Sequence, residues 1–377
     1  MSTTLRPSDA RWWQGIDRWT LAALIALMLA GYVLVLAASP GVAERIGAGS
    51  RNLFILRQVV WLGLAFALMI ALSLAPLRLV KGLAVLGLVG ALAATAATLS
   101  IGVEIKGARR WLSLPGMSLQ PSEFLKPTLA IVCAMLLARG KLAPTAAERW
   151  AATAGALALV VLAALLLKAQ PDVGMMVILA AVLFVQFFVS GLNLFVVGLV
   201  GALAVAAMAA AYVLLPHVQS RVQRFLNPEG TDTYQVDTAL RAFGHGGLFG
   251  VGPGEGRVKS SLPDAHADFI FAVAGEEFGM IACLILILLF AFIVVRGLLR
   301  LLVEPDLFVV LAAAGLLAGF GLQAFVNMAS TLNLIPTKGM TLPFVSYGGS
   351  SLLAVAYGMG SLLAITRRRP PRQPEAR

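Results

Sequence analysis

The chain has 377 residues, of which 59% are hydrophobic and only 12% charged, with a mean hydropathy of +0.89. A soluble domain carries about 25% charged residues, so this composition excludes a water-soluble globule and marks a polytopic membrane protein. The net charge of +11 is accordingly read as loop anchoring at anionic headgroups, not as nucleic-acid affinity.

Apolar runs long enough to span a bilayer occur near 19–39, 53–74, 79–101, 123–138, 152–168, 173–190, 192–215, 268–296, 306–330 and 345–366. They predict an all-α polytopic bundle of about ten transmembrane helices, with a large extracytoplasmic loop, about 216–267, between helices seven and eight. The first run is too long for the h-region of a signal peptide, so it is expected to stay as a span. Residues 1–18 form an N-terminal tail, 19–366 a single membrane domain and 367–377 a basic tail. Arg6, Arg11, Arg18, Arg78, Lys81, Arg139, Lys141, Arg149, Arg296, Arg300 and the basic tail share one face, expected to be cytoplasmic with both termini. Other basic residues concentrate in loops 102–122 and 216–267, where a functional reason is expected. Cys133 and Cys283 lie inside apolar runs and read as small buried hydrophobes. With His217, His245 and His266 they offer no zinc-type spacing, and no dedicated metal cage is expected.

Unusual polar residues collect in the expected outer loops. Gln120-Pro-Ser-Glu-Phe-Leu-Lys-Pro127 places Glu123 and Lys126 three apart on one helical face, as an ion pair lining a cavity or one that snorkels. Gln170-Pro-Asp172 is a tight turn with Asp172 at a helix start, read as a cap. Arg221 and Arg224 suit bidentate phosphate binding or headgroup anchoring. The run Gly244 to Gly256 is not a Walker loop, because no Gly-Lys-Ser follows in succession. It reads as turns that let backbone approach membrane or substrate. Asp268 stands where this polar loop meets the eighth apolar run, and Glu276 and Glu277 lie within that run. Carboxylates entering a membrane element are costly and mark function by default. Ala272, Gly275 and Gly279 would form a small-residue stripe below Asp268, admitting a lipid chain or another helix. Thr331 to Ser351 carries one charge, Lys338, among glycines, prolines and hydroxyls, and reads as broken backbone over a wet cavity.

These motifs resemble the SEDS family (shape, elongation, division and sporulation). The resemblance runs from Gly107-Ala-Arg-Arg-Trp111 through Gln120-Pro-Ser-Glu-Phe124, Gln170-Pro-Asp172 and Gly275-Glu-Glu277 to Ser346-Tyr-Gly-Gly-Ser-Ser351. Pro336-Thr-Lys-Gly339 with Thr341-Leu-Pro343 is similar to the division branch and not to the elongation branch. The resemblance implies a ten-span glycosyltransferase that polymerises lipid II into glycan strands at the outer face of the cytoplasmic membrane, at the septum, beside a class B penicillin-binding transpeptidase. The family's His-Thr-Asp-Phe motif maps onto His266-Ala267-Asp268-Phe269, which departs at Ala267; Asp264, Pro253 and Ala239 also depart. On this reading Asp268 is the general base for an inverting attack by a sugar hydroxyl. Arg109, Lys126, Arg221, Arg224 and Lys338 form the pool of cations for the departing pyrophosphate. Glu123, His266, Glu276, Glu277, Ser346 and Ser350 make up a supporting polar network. A divalent cation at the pyrophosphate is left open. Two rival readings are a lipid II flippase, favoured by Glu276 and Glu277, and a non-catalytic scaffold for division proteins.

Overall fold

The computed structural model describes residues 12–45, 53–105, 107–114, 117–191, 194–227 and 233–368. Its helices are α1 (Arg18–Arg45), α2 (Leu53–Leu74), α3 (Leu77–Ile101), α4 (Ser122–Leu142), α5 (Ala146–Ala169), α6 (Val173–Val189) and α7 (Leu194–Leu214). They continue with α8 (Pro216–Leu226), α9 (Tyr234–Gly246), α10 (Ile270–Leu301), α11 (Leu307–Thr331) and α12 (Gly349–Ile365). Each of the ten apolar runs coincides with one helix. Among the described residues α1, α2, α3, α5, α10 and α11 are each long and apolar enough to cross a membrane, while α6 and α12 are shorter apolar helices.

Helices α4 and α5 are the spans whose apolar runs are shortest, and both extend well past them. Helix α4 extends over 21 residues and α5 over 24, because charge at a helix end lowers hydropathy without breaking the helix. Glu123 sits in the first turn of α4 and Arg139 and Lys141 in its last, each complementing the macrodipole. Thr145 caps α5 by accepting the Glu148 N–H at 3.2 Å.

Consecutive spans alternate, so one end of the bundle carries both described termini and the other carries the long loops. At the terminal end, buried Asp17 accepts from Arg296 at 2.9 Å, Arg300 at 2.8 Å and Thr20 at 2.8 Å. Burial pushes the Asp17 carboxyl up, but Arg296 and Arg300 hold it well below the usual carboxylate range. The Arg368 N–H donates to the Gly15 carbonyl at 3.0 Å, which brings both ends of the described chain together.

The loop end adds a small sheet to the all-helical membrane bundle. Between α3 and α4, β1 (Val103–Ile105), β2 (Ala108–Leu114) and β3 (Met117–Leu119) form a three-stranded antiparallel sheet, with Glu104 opposite Arg109 and Ser113 opposite Ser118. The described residues of the long loop 216–267 include α8, α9 and a 3₁₀ turn at Val258–Ser261.

Helix α10 is broken at Gly279, where φ is 78° and ψ 179°. The glycine series lies against this break and hydrogen-bonds across it. Val251 N–H donates to the Glu276 carbonyl at 3.0 Å and Gly252 N–H to the Glu277 carbonyl at 3.0 Å. In return Met280 N–H donates to the Gly247 carbonyl at 3.0 Å. A Cβ on Gly250 would lie 2.2 Å from the Glu277 carbonyl oxygen, so the series is glycine-rich because two backbones touch. Its neighbour is therefore the broken helix, where the sequence suggested membrane or substrate. The stripe of Ala272, Gly275 and Gly279 is likewise filled by protein: Phe243 of α9 packs onto Gly275, and Gly279 abuts the Leu248 carbonyl.

Candidate active site

A cavity of about 860 Å³ opens among the loop-end segments, between the sheet, the first turns of α4 and α6, the stretch Asp264–Phe269 and the loop preceding α12. Asp268 stands on its wall, half-buried, two residues before α10 begins. Its backbone is fixed from both sides. The Asp268 N–H donates to the Asp264 carbonyl at 3.1 Å, and its carbonyl accepts from the Asn327 amide of α11 at 2.9 Å. Ser346 Oγ donates to the Ala267 carbonyl at 2.6 Å, and the Tyr347 N–H to the His266 carbonyl at 2.9 Å. A Cβ placed on Gly339 would lie 3.0 Å from Asp268 Oδ2, so the carboxylate rests against glycine backbone. The clamp uses the carbonyl of Ala267, so the missing hydroxyl at this position leaves it intact.

His266 is buried between the rings of Phe54, at 4.9 Å, and Tyr347, at 5.1 Å. Burial pushes its imidazole down to about 4, against the opposing charge of Asp264. It holds the Asp268 segment through ring packing, and its Nδ1 makes no hydrogen bond.

Two lysines of the expected cation pool carry carboxylate partners. Lys126 donates to Glu123 at 2.7 Å and to Gln323 of α11 at 2.5 Å, and all three side chains are buried. Gln323 passes the network on to the Thr341 carbonyl at 3.0 Å, and Thr341 Oγ1 meets Ser351 Oγ at 2.6 Å. Lys338 is bonded to Asp172, whose carboxylate also caps α6 through the Met175 N–H at 3.1 Å. Arg110 completes this cluster at 3.6 Å from Asp172, with a 2.6 Å bond to the Pro171 carbonyl. Burial pushes Asp172 up, but Lys338 and then Arg110 more than offset it and hold the carboxyl below its ordinary value. Asp172 is thus both the expected cap and the anchor of the loop that carries Lys338.

Arg109 occupies the exposed face of β2, paired with Glu104 at 3.4 Å, while Arg110 lines the cavity. Alternation along a strand sends neighbours to opposite faces. The backbone of α8 is described, but the side chains of Arg221 and Arg224 lie outside the described residues. Glu276 and Glu277 are fully enclosed and away from the cavity wall. Glu276 accepts from the Val258 and Lys259 N–H groups, each at 2.7 Å, and meets His245 Nδ1 at 2.9 Å. Glu277 is bonded to the Lys259 ammonium, which also donates to the Ala37 carbonyl of α1 at 2.8 Å. Sequence reasoning missed Arg57, Arg110, Lys259, Gln323 and Asn327. Lys259 could have been flagged as the cation needed to accompany buried glutamates. Ser346 is buried and bonded to the Ala267 carbonyl, and Ser350 is buried on the cavity wall.

A family model described as "Cell cycle protein" matches residues 18–370. The chain is 43% identical over 368 residues to "Probable peptidoglycan glycosyltransferase FtsW" of Caulobacter vibrioides, covering 97% of this chain and 93% of the relative. A protein of the same name from Halomonas elongata is 36% identical over 345 residues, 88% of this chain and 85% of that one. Among solved structures, a chain of "Structural coordination of polymerization and crosslinking by a peptidoglycan synthase complex" superposes with a TM-score of 0.75 at 29% identity, covering 94% of this chain and 98% of that one. The rod shape determining protein RodA of Thermus thermophilus gives 0.69 at 29% identity, covering 95% and 99%. The shared fold, the span of the family model and the identity to these relatives place the chain in the SEDS family of cell cycle proteins, as a multi-pass membrane protein.

Proposed function

We propose that this chain is a peptidoglycan glycosyltransferase that polymerises lipid II, with Asp268 as the general base. The observation that carries the reading is a half-buried carboxylate on an immobilised backbone at the wall of a cavity large enough for a sugar head. The names of the relatives support the same activity. Asp268 takes the proton of the sugar 4-hydroxyl as that oxygen bonds to the anomeric carbon of a second lipid-linked disaccharide. The anomeric bond to the undecaprenyl diphosphate breaks, the leaving group departs with the electron pair, and the configuration inverts. No carboxylate nucleophile is required. The loop end then faces the outside of the cytoplasmic membrane, both termini face the cytoplasm, and the enzyme works at the division septum. Its proposed partner is a class B penicillin-binding transpeptidase, in line with the synthase complex that shares its fold.

Glu276 and Glu277, the residues that speak for transport, are bonded to protein groups on every side but one oxygen of Glu277, which favours enzyme over flippase. The test is polymerisation of labelled lipid II by the purified chain with its transpeptidase partner in detergent, where there is no membrane to cross. Polymer is expected from the parent, with a loss of about 10²–10⁴-fold in Asp268→Asn. Equal polymer from both would remove Asp268 from the chemistry; none from either would turn the reading to flippase or scaffold.

A further inference from the structure

The first turn of α12 faces the cavity with nothing to cap it. Its N-cap is Gly348, which has no side chain to offer the N–H groups of Gly349, Ser350 and Ser351. Such groups at a helix start favour an anion, both by hydrogen bonding and through the macrodipole. A second observation points the same way. Ser350 is 2% exposed and lines the cavity, yet its hydroxyl has no hydrogen-bond partner among the described residues. Its place on the lining leaves it to bond an oxygen in the cavity, such as one of a ligand.

Charge completes the arrangement. Arg57 of α2 lines the same cavity, on the side of Tyr347, one residue before the N-cap. A guanidinium offers five donors, and Arg57 has no carboxylate partner among the described residues. This separates it from Lys126 and Lys338, whose charge is met by Glu123 and Asp172. The two sides are held in register, since a Cβ on Gly349 would lie 2.5 Å from the ring of Trp61, one helical turn beyond Arg57. The segment is also bonded to the base, through Ser346 to the Ala267 carbonyl and Tyr347 to the His266 carbonyl.

We infer that the α12 N-terminus, the Ser350 hydroxyl and the Arg57 guanidinium form the subsite for a lipid-linked diphosphate. The inference rests on the glycosyltransferase reading for the identity of the ligand, and it assigns the leaving group to a place that none of the cations read from the sequence occupies. Anion and base then share one wall of the cavity, so charge collects at α12 while the proton leaves to Asp268.

Binding of undecaprenyl diphosphate to the full chain in detergent tests this directly, with uncharged undecaprenol as the reference probe. Arg57→Gln removes the charge from a side chain that is already exposed. Ser350→Asp supplies a fixed anion that suits a helix start but competes with the diphosphate. Each should weaken diphosphate binding about tenfold or more while leaving undecaprenol unchanged, and Ser350→Ala should cost a few-fold. Parental affinity in Arg57→Gln and Ser350→Asp, with melting temperature preserved, would overturn the subsite even if Asp268→Asn still fails to polymerise. A parent that binds diphosphate with these dependences but makes no polymer would keep the subsite and remove the enzymatic reading.

Discussion

Two acidic clusters lie near each other in sequence and differ in almost every physical respect. Glu276 is 0% exposed, with two backbone N–H groups and an imidazole on its oxygens. Asp268, eight residues earlier, is half-buried on an open cavity and is fixed by its backbone carbonyl and N–H. One carboxylate spends its hydrogen-bonding capacity on holding the chain. The other is held by the chain and presents its side chain to a cavity. A carboxylate inside a membrane protein is thus no single signal; what it bonds to decides whether it is frame or chemistry.

Substitutions at the two positions should separate stability from turnover. Asp268→Asn should reduce polymerisation by about 10²–10⁴-fold with the melting temperature unchanged. Glu276→Ala should do the reverse, since it strands two buried N–H groups and unfastens the 3₁₀ turn. A loss of about 3–5 kcal/mol is expected in denaturant titration, with near-parental turnover per folded molecule. A Glu276→Ala protein with parental stability and no activity would erase the distinction. The Lys259–Glu277 pair sharpens it. Lys259→Met alone should cost about 3–5 kcal/mol by leaving Glu277 uncompensated, whereas Lys259→Met with Glu277→Leu should recover most of that loss. If the double variant is as unstable as the single, the pair does more than neutralise itself.

The smallest effect concerns pH. The folded His266 titrates at about 4, below an ordinary histidine near 6.5, so the unfolded chain binds the extra proton first. Its contribution is complete above about pH 6.5 and is lost as pH falls towards 4, by about 1–3 kcal/mol. Asp172 acts in the same direction at lower pH, because its depressed carboxyl favours the folded state only while ionised. His266→Phe should flatten the stability profile between pH 6.5 and 4 and leave the steeper acid limb; an unchanged profile would assign that slope elsewhere.

The spans were legible because twenty apolar residues in succession have few other uses. Helix ends were not: the run near 152–168 starts well inside α5, which begins at Ala146, because Glu148 and Arg149 break the apolar pattern of its first turns. Asp268, Glu123 and Lys338 were readable as charges out of place. Arg57 was hidden for the opposite reason: averaged over an apolar run, one arginine near the start of α2 disappears. The choice of Arg110 over Arg109 depends on strand register, which requires knowing that 103–119 pairs with itself, with a bulge between Val103 and Glu104. The glycine series announced a close approach but could not name its partner, because that partner is a helix break made by Gly279 some 25 residues away.

That break has a consequence for how the chain enters a bilayer. The carbonyls of Glu276 and Glu277 have no intrahelical N–H to meet them beyond Gly279, and in hydrocarbon such orphans are prohibitive. Their donors, the N–H groups of Val251 and Gly252, come earlier in the chain and belong to the long loop. Helix α10 therefore cannot be inserted as an independent segment and decorated afterwards. On the proposed orientation, with the loop end outside, residues 244–256 have to cross before the helix that follows them can close its break.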